Sequence, residues 1–138
     1  MPFWDDRVAG WVARHIPGCE RGFGPSKSLG VLSKGRKLAG GLVFHNWHPE
    51  SGVIEMSAAS VDPRAWTRTV MREAFGYAFS HCQMVVIRCD PENRRVRKFW
   101  RALGADEYEI PRLRGRDKSE VIMTLTDDAW MASKFMRH

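Results

Sequence analysis

Cysteine is scarce in this sequence: Cys19, Cys82 and Cys89 are odd in number and show neither a CxxC pair nor CxxC-plus-His spacing. That usage excludes a disulfide framework and a structural zinc site, and it fits a reducing, cytoplasmic setting. No apolar run approaches membrane-spanning length. The opening Met1-Pro2-Phe3-Trp4-Asp5-Asp6-Arg7 puts two acids where a secretion signal carries positive charge and an apolar core. A soluble, unanchored protein is expected. His45 and His48 have no third ligand near them in the sequence, so no metal centre is expected. Internal repeats and low-complexity tracts are lacking too.

What remains is a chain of 138 residues, the size of one compact domain, 1–138, able to bury a core without staples. Its formal charge of +6 favours anionic partners: nucleic acid, acidic protein surfaces or a polyphosphate cofactor. The basic residues gather at Arg94, Arg95, Arg97, Lys98 and Arg101, and again at Arg112, Arg114, Arg116 and Lys118. Two solvated faces are the simplest account of them.

Hydrophobic spacing divides the chain. Val8, Trp11, Val12, His15 and Ile16 recur at helical intervals within 5–16, and Pro17-Gly18 ends the pattern. The Gly-, Pro- and Ser-rich segment 22–28 predicts a loop. Strands are predicted over 29–33, 38–46 and 52–60, joined by short polar turns as an antiparallel meander. A helix over 66–81 follows, with Val70, Met71, Ala74, Phe75, Tyr77 and Ala78 on its inner stripe. The Val/Ile-rich stretch 83–89 reads as a buried strand, so the economical arrangement is a βαβ crossover with parallel strands. Asp90-Pro91-Glu92-Asn93 predicts the next helix, with Asp90 as cap, Pro91 first in the helix, and Gly104 as stop. A strand pair, 106–111 and 120–125, would flank an arginine-rich loop, and a last helix would cover 127–135.

Residues 53–105 resemble the GNAT acyl-CoA N-acetyltransferase superfamily. The resemblance rests on element order, on Val61-Asp62-Pro63 before the basic turn, and on Asn93-Arg94-Arg95-Val96-Arg97-Lys98-Phe99-Trp100-Arg101-Ala102-Leu103-Gly104-Ala105 after the second strand. Within the superfamily, Trp66-Thr67-Arg68, Glu73-Ala74-Phe75-Gly76-Tyr77-Ala78-Phe79 and Trp130 are similar to a phage-associated subgroup. The implied fold is α/β, a mixed, twisted central sheet flanked by helices. The implied activity is transfer of acetyl from acetyl-CoA to an amine of a small molecule or protein, with the pantetheine arm pairing with the backbone at Ala59, Ser60 and Val61.

A strand running into a helix N-terminus offers unpaired N–H groups and a positive dipole end to a pyrophosphate. The turn 64–69 holds that position. The superfamily carries Gln or Arg, then Gly, then Gly or Ala at three spaced positions, which fall on Trp66, Thr69 and Met71 here. A left-handed backbone at a β-branched Thr69 would cost about 1–2 kcal/mol, so a right-handed turn is expected. The hydroxyls of Thr67 and Thr69, the charge of Arg68 and the amides through Val70 would then meet phosphate. Helix capping by Thr67 or Thr69, with Trp66 covering the core edge, is the competing account, and the two are compatible.

Acetyl transfer needs the amine unprotonated and the thiolate leaving group protonated. Glu55 is the candidate base, eleven positions before Trp66 as in some superfamily members. It shares a strand face with Val53, Ser57 and Ala59, and apolar neighbours would raise its pKa; a plain solvent-facing strand Glu is the alternative. The superfamily's acid Tyr, seven positions beyond Asn93, falls on Trp100, whose indole cannot serve and instead packs on the sheet. Tyr108 and Cys89 are the named substitutes. By resemblance Asn93 contacts pantetheine or pyrophosphate, or else satisfies the helix start; Arg97, one turn further on, is within reach of a CoA phosphate. The alternative to an enzyme is an inactive binding module of the same fold, for nucleic acid through Arg94, Arg95, Arg97 and Arg101, or for a protein partner.

Overall fold

The computed structural model describes residues 1–19 and 21–136. Its elements are β1 (Pro2–Trp4), α1 (Val8–His15), β2 (Ser26–Leu32), β3 (Leu38–His48), β4 (Val53–Ser60), α2 (Arg68–His81), β5 (Met84–Cys89), α3 (Arg94–Leu103), β6 (Asp106–Gly115), β7 (Lys118–Thr126) and α4 (Asp127–Ala132), with a 3-10 turn at Pro63–Ala65. The strands form one seven-stranded sheet in the order β1-β2-β3-β4-β5-β7-β6. Strands β4 and β5 run parallel, connected through α2, and the other neighbours are antiparallel. The sheet is mixed, as the alternation of strand and helix patterns predicts.

One face carries the main core. Leu42, Phe44, Ile54, Met56, Val85, Ile87, Met123 and Leu125 point from the strands onto Ala74, Phe75, Trp100, Leu103 and Trp130 of the helices. Phe75 is its hub: its ring meets Trp100 edge-on at 5.5 Å and Trp130 at 4.7 Å. Trp100 thus packs on the sheet, as expected.

The other face is thinner. Helix α1 sets Val8 and Val12 against Val43, and it can lie this close because Gly30 and Gly41 sit opposite one another in the β2–β3 register. A Cβ on Gly41 would fall 2.6 Å from Val8 Cγ1 and 2.9 Å from Val12 Cγ2. These strand glycines are sites of close backbone approach.

Several boundaries differ from expectation. Strand β1, three residues long and too short to show alternation, pairs with β2 at the sheet edge. Strand β2 begins inside the presumed loop, at Ser26 opposite His45. Helix α2 starts at Arg68, since Trp66 ends the 3-10 turn and Thr67 caps the helix. Helix α3 starts at Arg94: Asn93 is the cap, its Oδ1 accepting from the Val96 amide at 3.3 Å, while Asp90 Oδ1 accepts from the Glu92 amide in a preceding turn. Pro91 therefore lies outside the helix. Much of the arginine-rich loop is strand, because β6 slips register after Ile110, carries Arg112 at φ 68°, and rejoins β7 at Gly115–Lys118. An exposed, bulged edge strand has no alternation to read. Helix α4 stops at Ala132.

Candidate functional site

Strands β4 and β5 pair at three rungs, Val53–Met84, Ile54–Val85 and Glu55–Val86. Past that point β4 stays on β3 as far as Ser60–Gly40, whereas β5 stays on β7 as far as Cys89–Val121. The parallel strands therefore part at Glu55 and Val86, leaving a wedge between Met56–Ser60 and Ile87–Cys89. A strand's backbone groups alternate in direction. The amides of Val61 and Asp62 donate back to the Ala39 carbonyl at 2.9 and 3.3 Å, so Val61 does not offer its N–H to the wedge. Ala59, two residues earlier, has the same orientation. Ser60 and Ala58 present their backbone N–H and C=O to the open side, and both are exposed. Of the three residues expected there, Ser60 turns its backbone groups to the wedge and Val61 and Ala59 turn theirs to β3; Ala58, outside the expected set, also faces the wedge.

At the end of β4 the chain turns through Pro63–Ala65. Asp62 accepts from the Arg64 amide at 2.9 Å and from its guanidinium, which holds the Asp62 carboxyl below the ordinary carboxylate range. No non-glycine residue between 61 and 71 has a positive φ, so the turn is right-handed at Thr69. Thr67 Oγ1 accepts from the Val70 amide at 3.2 Å and the Thr67 carbonyl accepts from Met71 at 2.9 Å. The capping account is thus realised. Val70 is buried with its amide spent on that cap, and Trp66 is half-buried against the main core, so neither stands as a phosphate ligand. Thr67, Arg68 and Thr69 are exposed at the mouth of the helix.

Glu55 sits on the last shared rung, at the apex of the wedge, with its side chain 21% exposed. It shares the α1 face with His45, directly opposite on β3, and with Ser57. Asn46 Nδ2 donates to Glu55 Oε1 at 3.1 Å. His45 Nε2 lies 2.9 Å from Ser57 Oγ and 3.7 Å from Glu55 Oε2. The Phe23 ring covers His45 at 4.7 Å, and burial pushes the imidazole pKa below its usual value against the opposing pull of Glu55. The carboxylate thus has polar neighbours where apolar ones were expected. Sequence reading missed His45 and Asn46 as members of this cluster. Counting from the His48–Val53 rung puts Asn46 opposite Glu55, and the register shift between His45 and His48 brings His45 there instead.

The remaining candidates lie elsewhere. Arg97 donates from Nε to Glu107 and from a terminal nitrogen to the Pro91 carbonyl at 2.7 Å. That pairing keeps its guanidinium charged and removes it as a ligand for a CoA phosphate. Asn93 spends its side-chain oxygen on the α3 cap. Tyr108 lies on β6, with β5 and β7 between it and β4, roughly 14 Å across the sheet, so it is not the acid. Cys89 is buried, which raises its thiol pKa and keeps it inert. Arg101 also reaches toward Glu107, at 3.8 Å, and Arg114 pairs with Asp90 at 3.0 Å, so part of each basic cluster is internally neutralised. No described helix is long and apolar enough to cross a membrane.

No protein-family model matches the chain, and no curated protein matches it either. Solved structures do. A chimera of the Vibrio cholerae spermidine N-acetyltransferase SpeG with hSSAT superposes with a TM-score of 0.70 at 12% identity, over 94% of this chain and 98% of that one. A GCN5-related N-acetyltransferase from Brucella melitensis gives 0.62 at 22% identity, over 78% of this chain and 53% of that one. The ribosomal-protein-S5-alanine acetyltransferase of Vibrio fischeri gives 0.61 at 15%, over 76% and 63%. The chain spans less than two thirds of the length of the last two, as it does of two other acetyltransferase-type structures, at 64% and 63%. Likeness at these identities establishes the fold, which is that of the GCN5-related N-acetyltransferases.

Proposed function

We propose that this protein is an N-acetyltransferase that moves the acetyl group of acetyl-CoA onto an amine. The observation that carries the reading is the parting of β4 and β5 at Glu55, with the start of α2 at the far end of the same strand. From Glu55 to Ser60 a strand rises roughly 17 Å. That is the scale of an extended pantetheine arm, so phosphates at Thr67, Arg68 and Thr69 leave the thioester near Glu55. The unpaired edge at Ala58 and Ser60 supplies backbone partners for the arm's amides.

Acetyl-CoA, when bound, supplies an acyl carbon activated as a thioester. Glu55 accepts the proton that the attacking nitrogen gives up, and Asn46 aims the carboxylate. No tyrosine stands at the wedge among the described residues, so solvent protonates the departing thiolate. Positioning of bound reactants can contribute about 7–11 kcal/mol to such a reaction, against about 10²–10⁴ in rate from a general acid, so transfer survives that loss. The acceptor is an amine of a small molecule or a protein, as for the spermidine and ribosomal-protein enzymes of the same fold. A cytoplasmic setting and kinship with the phage-associated subgroup belong to the same reading and rest on the sequence features given above. Calorimetry with acetyl-CoA tests it: heat of binding, with a rise in melting temperature by mass action, is expected. No heat and no shift at millimolar acetyl-CoA would leave a non-catalytic binding module of the same fold.

A further inference from the structure

Beside the Glu55 carboxylate stands a group that acetyl transfer does not by itself require. His45 is 6% exposed, lies beneath the Phe23 ring, and presents Nε2 to both Ser57 Oγ and Glu55 Oε2. A buried imidazole in contact with a half-buried carboxylate titrates as part of a pair. We propose that His45 is a positioning residue for Glu55 and the pH gate of the reaction. In its neutral form its Nε2–H donates to Ser57 and leaves the Glu55 carboxylate free to meet the amine. When the imidazole takes up a proton, the imidazolium and Glu55 close into an ion pair, and the carboxylate no longer accepts a proton from the amine.

Opposite His45 on β2 stands Ser26, and Lys27 beside it faces the other side of the sheet, over the Tyr77 ring. On α1, Arg14 and His15 are exposed, with the His15 ring tilted against Trp11 at 4.0 Å. On β3 itself His48 is exposed, and on β5 Arg88 is tied to Glu120 at 2.5 Å. Among the described residues, Glu55 is the charged group within ion-pair distance of His45. Burial is the larger influence on the imidazole and depresses its pKa; the carboxylate raises it. The neutral form therefore prevails at neutral pH, and the gate closes on the acid side.

The proposal rests on the acetyl-transfer reading, and two measurements keep their failures apart. The first needs no turnover: the His45 ring resonances are titrated by NMR in the parent and in Glu55→Gln. The His45 pKa should fall in the variant, because the carboxylate that favours imidazolium is gone. An unmoved titration would overturn the pair. The second is the pH profile of kcat/KM for whichever amine is acetylated, with His45→Gln, which keeps an N–H donor near Nε2 but does not titrate. The acid limb should move to lower pH in that variant while the plateau stays within about tenfold of the parent. A limb that stays in place would show that His45 is packing alone. Should no amine be acetylated, the acetyl-transfer reading falls and the NMR titration decides the pair.

Discussion

The two faces of the sheet are built on different terms. The α2–α3–α4 face is dry: Val70, Ala74, Phe75, Val85, Met123 and Leu125 are fully or almost fully buried, and aromatic rings interlock around Phe75. The α1 face has a small apolar cluster of Val8, Val12 and Val43, and beside it a polar set of His45, Asn46, Glu55 and Ser57. Strand β4 contributes to both, giving Ile54 and Met56 to one side and Glu55 and Ser57 to the other. Apolar burial scales with area, so the first face supplies most of the stability. The second gives up some of that burial to keep titratable groups beside the wedge. A substitution on one face should therefore move stability, and on the other, rate.

The sharpest way to break this division is Phe75→Ala. The ring is fully buried among Trp100, Trp130 and Phe79, and its loss should cost about 3–5 kcal/mol by urea unfolding. A cost below 1 kcal/mol would mean that the helical face is not the stability core. Next in size is Glu55→Gln, which should lower the acetylation rate by about 10²-fold with acetyl-CoA affinity and unfolding midpoint unchanged. The deficit should narrow as pH rises and more of the acceptor amine arrives deprotonated. An equal rate in the variant would reduce Glu55 to an ordinary strand residue.

How far the sequence reveals these faces depends on periodicity. The stripe at Val70, Ala74, Phe75 and Ala78, the alternation in β4 and the Val/Ile run of β5 are regular enough to place the main core and the parallel crossover. Glu55 is singled out as a candidate by its spacing from the turn, and the right-handed turn follows from the β-branched Thr69. The His45–Glu55 pairing is harder, because β3 slips register between His45 and His48, with Asn46 at φ 50°. A count from the hairpin turn that ignores the bulge sends the wrong side chain to that face. The loss of Arg97 to Glu107 is a contact between α3 and β6, invisible to local spacing. Local sequence marks glycine as a turn signal, and nothing local marks Gly30 and Gly41 as the floor beneath α1.

That floor supplies a third test. Gly41→Ala puts a methyl within 2.6 Å of Val8 and 2.9 Å of Val12, and should cost about 1–3 kcal/mol as α1 lifts. Because α1 covers the same face as His45 and Glu55, the rate should fall as well, which Phe75→Ala at a temperature where it stays folded should not cause. Equal stability of parent and variant would show that α1 already rides loosely. Smaller still is Thr69→Asp at the exposed start of α2. A carboxylate there should strengthen the helix slightly through its dipole yet weaken acetyl-CoA binding by about 1 kcal/mol, since it would repel the pyrophosphate. Calorimetry showing unchanged affinity would move the phosphates away from this turn.

The finest distinction between the faces is their response to pH. Among the described residues of the main core cluster no histidine is buried, whereas the α1 face buries His45. Its folded pKa lies below the unfolded value of about 6.5. Between those two values the unfolded chain binds more protons than the folded one, so stability rises with pH there. The contribution is fully present above about 6.5 and is lost as pH falls toward the depressed folded value. The parent should therefore lose unfolding midpoint between pH 7.5 and pH 5.5 by more than His45→Gln does, measured in the same buffers. Parallel curves for the two proteins would mean that His45 is solvated in the folded state, and that the thin face carries no titration of its own.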